Sequence, residues 1–246
     1  MPRRGKRMLR HPLFELLILL LSLLSIYSWW TFLHQKQTEK QTEDVIVHLQ
    51  EQQENDSFAF YEYLKKINPC CIGWVEWESG VIREPIVQGT YNTDWIRRDF
   101  YGRYDPYGTV FVDALADLSG DNITLYGHAK TGDMSSHLKF SALQRMNQQS
   151  YWQENHTLFV NWQGHIYHYK VAAACIVDTI HDTWAYEQNV FLNEEDKEKW
   201  MDEVIVRNEI ESGIALDIED HFLTFQTCVD ENSGRRMVVI AVREEG

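Results

Sequence analysis

Residues 16–33, LLILLLSLLSIYSWWTFL, run for 18 positions without a charge, and no other feature so restricts where this chain can fold. As a helix the run spans about 27 Å, close to the hydrocarbon thickness of a bilayer. A cleaved export signal or a buried helix would use a similar run. The bulky WWTFL end offers no small-x-small cleavage pattern, so an uncleaved anchor is expected. The ten preceding residues, MPRRGKRMLR, carry five basic side chains and no acidic one, which predicts a cytoplasmic N-terminus with the remainder outside.

Charge distinguishes the two sides. Beyond residue 34 there are 36 acidic and 18 basic side chains, a surface unsuited to phosphate backbones, so nucleic acid is excluded as a partner. The expected organisation is a basic tail over 1–10, a transmembrane anchor over 11–33, a membrane-proximal stalk over 34–57 and one outer domain over 58–246. The four cysteines, Cys70, Cys71, Cys175 and Cys228, form no dense disulfide framework. There is no CxxC pair and the histidines are scattered, so a metal site is not expected. Nor is there a GxxxxGK[ST] or GxGxxG loop to suggest a nucleotide enzyme.

Residues 35–66 are rich in Gln, Glu and Lys and predict one or two amphipathic helices, near 45–49 and 58–67. From Asn68 the period shortens. IGWVEW, GVIREPIVQG, GTVFVDAL and NITLYGH read as strands between Gly, Pro, Asn and Asp signals, and HTLFVNWQGHIYHYKVAAACIV reads as a hairpin turning at NWQG. One helix is predicted over 138–148 and another over 192–207, the latter with Asn193 as its cap. HFLTFQTCV and RRMVVIAV close the chain as two strands joined by DENSG. Many short strands with few helices predict a mainly β domain, a barrel or sandwich.

Cys228 ends an apolar strand beside a turn, where a thiol can be exposed on a rigid backbone and serve as a nucleophile. His128 ends another strand just after a glycine, and an imidazole there can exchange a proton with an amine. His137, His156, His165, His168, His181 and His221 compete for that role on spacing alone. Arg236 opens the last strand and can face Cys228 across the hairpin, where a guanidinium can steady a developing oxyanion. Arg235 is its neighbour, and strand alternation lets only one of the two point the same way as the thiol.

These residues resemble a known family. TFQTC followed by RRMVVIAV is similar to the TLxTC…R signature of sortases, and TLYGH is similar to their catalytic-histidine segment. WVEWESGVIREPIVQG, YGTVFVDAL and the helical excursion before the cysteine strand resemble class B members, so that the likeness extends over residues 58–242. The resemblance implies an eight-stranded sortase β-barrel with N-terminal helices and a helical insertion before the cysteine strand. It places the family's histidine on His128, its cysteine on Cys228, and its arginine on Arg236, with Arg235 the alternative left by a short loop. Thr227 falls on the motif threonine, a residue for positioning the acyl group, and Asp230 is a weaker candidate beside the thiol. Phe225 stands where the family usually has leucine.

The implied activity is cysteine transpeptidation without cofactor or metal. It would cleave the C-terminal, NPxTx-like sorting signal of exported proteins and transfer the acyl group to an amine of a peptidoglycan precursor or of a pilin. The membrane is then a partner through the N-terminal helix. A sortase-like pilin polymerase, a papain-like protease and a non-enzymatic anchored binding module are the other readings of the same residues.

Overall fold

Alternation of apolar and polar residues decides most of the architecture. The computed structural model describes residues 12–53, 56–130, 133, 136, 138–230 and 234–244, so the basic tail and positions 231–233 of the DENSG turn lie outside the described residues. The strands are β1 (Cys71–Trp77), β2 (Arg83–Gln88), β3 (Val110–Val112), β4 (Asn122–Tyr126), β5 (Thr157–Trp162), β6 (His165–Asp178), β7 (Phe222–Cys228) and β8 (Arg235–Arg243). They close into a barrel in the order β1-β2-β3-β4-β7-β8-β6-β5. This is the eight-stranded barrel expected from the sequence.

The turn between β5 and β6 shows how local chemistry sets register. Gln163 and Gly164 both have positive φ, 51° and 96°, as a two-residue hairpin turn of matching twist requires. The pairing Trp162–His165 follows, and Leu158, Val160 and Tyr169 then face one core. Inside the barrel Trp77 and Phe140 meet Phe225 edge-on, at ring-centroid separations of 4.7 Å and 5.8 Å. Phe225, in the position of the motif leucine, therefore fills the interior as a leucine would, with a larger ring.

The chain divides into two units, residues 1–41 and 42–246. The first helix, α1, runs unbroken through Pro12–Gln50, since no Gly or Pro interrupts the change from apolar to Gln/Glu-rich sequence. It contains one stretch long and apolar enough to cross a membrane once. In the second unit, α2 (Ser57–Ile67) begins at Asp56, whose carboxylate accepts from the amides of Phe58 and Ala59, and buries Phe60 and Leu64 against Trp74 of β1.

The helix predicted over 138–148 is replaced by a 3₁₀ turn at Ser141–Arg145 and a separate helix, α3 (Gln149–Glu154). Tertiary contacts prevail over propensity here. Lys139 takes φ 48° and its ammonium reaches the buried carboxylate of Glu84 at 3.1 Å, while Phe140 turns into the core. Burial raises the Glu84 pKa and the lysine charge opposes that shift. The last helix, α4 (Glu194–Arg207), follows the sequence closely: Asn193 caps it by accepting from the Asp196 amide at 3.0 Å. Its Trp200 and Val204 pack on the outer side of β7 and β8, against Phe222, Val238 and Ile240.

Candidate active site

β4 and β7 are adjacent and parallel although about 100 residues separate them, with Tyr126 paired to Gln226 at the end of the ladder. The Gly127 amide still donates to the Gln226 carbonyl, at 3.2 Å. His128 and Cys228 each lie two residues beyond that last pair. Since Leu125 and Phe225 point into the core, alternation turns the side chains at 126, 226 and 228 to the outer face, while His128 lies just past the end of β4. Neighbouring strands are about 4.8 Å apart, so the chain leaves the barrel towards His128 and at Cys228 from adjacent strands at the same end.

Two contacts hold this juncture. Thr227 is fully buried and its hydroxyl donates to the Gly127 carbonyl at 2.8 Å, tying the two strands one residue before the candidate groups. The Thr227 side chain is thus unavailable to a ligand, and any acyl-positioning part falls to its backbone. Gly127 has a separate reason to be glycine: a Cβ there would lie 2.6 Å from the Phe140 ring. The sequence TLYGH therefore couples core packing to the emergence of the imidazole.

Arg236 pairs directly with Cys228 across β7 and β8, whereas Arg235 pairs with Asp178 of β6. Arg236 and the half-buried Cys228 thus share the outer face, and Arg235 falls in the opposite alternation. Asp230 lies just past β7, half-buried beside the described end of the loop. Among the competing histidines, His165 and His221 flank the other end of the barrel, at the start of β6 and just before β7. His181 bonds Asp178 at 2.8 Å on the surface, and His137 lies outside the described residues.

All four cysteines are free thiols. Burial pushes Cys71 and Cys175 up to about 12, so both stay protonated and inert at neutral pH. Cys70 and Cys228 are partly exposed, and Cys228 is the one that ends a strand.

His128 is half-buried and its Nε2 lies 3.1 Å from the Ile96 carbonyl. A carbonyl only accepts, so Nε2 carries the proton in the neutral ring and Nδ1 has the lone pair. Burial holds the imidazole below its ordinary value; Arg97 adds to that, the Ile96 bond and Asp105 oppose it, and Lys139 adds a smaller push downward. At neutral pH the ring is therefore mainly neutral. A proton NMR titration of the full-length chain should give His128 a pKa below 6.5, and Arg97→Gln should move it upward. A downward move in that variant would contradict the assigned cause.

Sequence reasoning missed several supporting groups. Gln144 donates from Nε2 to the carbonyls of Cys228 and Val229, at 2.9 Å and 3.3 Å, clamping the backbone at the thiol. Tyr186, buried, has its hydroxyl in the fields of Arg236 and Cys228, with burial the main cause of a pKa raised to about 12. Asn122, fully buried, donates to the carbonyls of Tyr186 and Gln188, both at 3.0 Å, and accepts from Thr224 at 2.8 Å, so it fastens this loop to the barrel. Each of these depends on contacts far away in sequence, and no local signal carries them.

The profile of the sortase domain family matches residues 79–244. Sortase B of Staphylococcus aureus is 29% identical over 186 residues, covering 74% of this chain and 73% of that protein. The solved complex of Staphylococcus aureus sortase B with substrate superposes with TM-score 0.71 at 25% identity, over 86% of this chain and 96% of the other. Clostridium perfringens sortase B superposes with TM-score 0.67 at 26% identity, over 75% and 99%.

Proposed function

Because this chain belongs to the sortase family and is a class B-like cysteine transpeptidase, we propose that Cys228 is its nucleophile, His128 its proton-transfer group and Arg236 its oxyanion donor. The observation that carries the assignment is the meeting of three strand ends at one end of the barrel: β4 leading to His128, β7 ending in Cys228 and β8 beginning beside Arg236. Topology follows the anchor: 1–10 cytoplasmic, 11–33 in the membrane, 34–57 a stalk within α1 and beyond, and 58–246 the outer catalytic domain.

The substrate is the C-terminal sorting signal of another exported protein, of NPxTx-like form, lying in a groove bordered by residues 190–215. The Cys228 thiolate attacks the carbonyl carbon of the threonine, and the oxygen takes the electron pair and is met by the Arg236 guanidinium. Collapse of this intermediate breaks the peptide C–N bond. His128, as imidazolium, protonates the departing amine at Nδ1, leaving a thioester and a neutral ring.

An amine of a peptidoglycan precursor then attacks the thioester carbonyl. His128 accepts its proton, the C–S bond breaks and the thiolate returns. Acyl energy passes from one amide to the next, so the cycle consumes no nucleotide. The Ile96 carbonyl keeps Nε2 protonated throughout, which reserves Nδ1 for the exchanges. Thr227, Gln144 and Asn122 act as positioning residues.

Mass spectrometry of the full-length chain incubated with sorting-signal peptides and candidate amines tests the proposal. The expected species are a thioester on the Cys228 peptide and a ligated product. Product formed without passage through a Cys228 adduct would sink it. Arg236→Ala should lower kcat/KM about 100-fold or more, as loss of an oxyanion donor does. Arg235→Ala should change it only a few-fold, and the reverse order would reassign the role.

A further inference from the structure

The barrel has a second mouth, at the end where β4 and β7 begin, β5 ends, β6 begins and β8 ends. β7 itself, Phe222–Cys228, separates this mouth from the thiol by about 20 Å at the usual strand rise. A cavity of about 340 Å³ opens there, within the range of small-molecule sites.

Its chemistry departs from that of the surrounding surface. The rings of Trp162, Tyr167 and Tyr169 line it, together with His165, His221 and Arg243, and among the described residues no carboxylate does. That is unusual in a segment where 36 acidic residues face 18 basic ones. The Arg243 guanidinium lies 5.4 Å from the Tyr167 ring centroid, and among the described residues it forms no ion pair. Acids close by are engaged elsewhere: Asp121 pairs with Lys197 at 3.0 Å, and Asp220 accepts from the Asp217 amide at 2.7 Å. The half-buried His221 is held below its ordinary pKa by burial and by Arg243 and Lys197, with Asp121 and Asp220 opposing. It therefore offers neutral hydrogen bonding at neutral pH.

We propose that this mouth binds a carboxylated sugar. A sugar ring presents one face of C–H groups for the aromatic wall and a rim of hydroxyls for the tyrosine hydroxyls and imidazoles. A carboxylate on that ring supplies an ion-pair partner, of which Arg243 has none among the described residues, in a charge-assisted bond to a stacked, oriented guanidinium. Ring stacking and charge together favour this class over a bare inorganic anion, which leaves the aromatic wall unused, and over a neutral sugar, which leaves Arg243 unused. The site is separate from the Cys228 groove and does not rest on the transpeptidase assignment.

Titration of the full-length chain in detergent micelles with N-acetylmuramic acid, and separately with N-acetylglucosamine, tests the proposal, since the second sugar lacks the lactyl carboxylate. The readout is the Trp162 indole N–H resonance, assigned with Trp162→Phe. Saturable shifts with N-acetylmuramic acid are expected, with binding weaker by about tenfold or more for the neutral sugar and for Arg243→Gln. Arg243→Lys, which keeps the charge and loses the fork, should fall between, and Cys228→Ala should bind like the parent chain. Equal affinity for the two sugars, undiminished binding by a folded Arg243→Gln variant, absence of any saturable shift, or displacement by a sorting-signal peptide would each overturn it.

Discussion

Cys228→Ala should leave a folded chain that yields neither cleaved peptide nor ligated product, with turnover lower by about 10⁴-fold or more, the scale seen when a covalent nucleophile is removed. The substitution is structurally mild because the side chain is half-buried at the last residue of β7, and the contacts holding that strand end belong to others: Gln144 on its carbonyl and Thr227 on Gly127. Thermal unfolding of the variant should coincide with that of the parent. The same sorting peptide should still bind, because the groove and Arg236 are untouched. Wild-type-like cleavage by this variant would remove the thiol from the chemistry, and Cys71 or Cys175 could not replace it, since both are buried and held protonated.

His128→Ala should lower kcat/KM by about 10²- to 10⁴-fold, the range for losing a positioned acid–base group. The loss should fall mainly on kcat, because the imidazole works on the leaving and entering amines rather than on the bound signal. The sign of the pH dependence is fixed by the environment. Burial and Arg97 favour the neutral ring, so the imidazolium that protonates the leaving amine is a minor form at neutral pH and grows as pH falls. The proposed reacting form pairs that imidazolium with a thiolate, so the parent's kcat/KM should carry the His128 ionisation in its pH profile, and His128→Ala should lose that limb along with the rate. A variant that keeps the parent's pH profile would assign the proton transfer to another group.

Much of this arrangement can be read before any coordinates. Positive-φ turn chemistry at Gln163-Gly164, the Asn193 cap and the alternating strands are local, and each appears where its signal lies. The two proposed reactive positions are visible because Cys228 and His128 stop apolar runs. What escapes is tertiary. Lys139 and Phe140 sit in a segment with helical spacing, yet a buried carboxylate and an aromatic core pull them out of a helix. The Ile96 carbonyl that orients His128 is 32 residues upstream in an irregular stretch. The parallel pairing of β4 with β7 joins segments that sequence places far apart, and only the closed barrel brings them together. The anchor and stalk boundary at 33–34 marks a change of composition that the continuous helix α1 ignores.

The place of β7 between β4 and β8 orders the steps by which the barrel closes. As the chain is made from its N-terminus, six strands and His128 are delivered long before Cys228, and until Phe222–Arg243 arrives β4 and β6 remain open edges. Inserting the last two strands seals those edges and brings Cys228 to the end of the barrel that leads to His128 in one movement. On the proposed assignment a nascent molecule is thus chemically silent until its wall is complete.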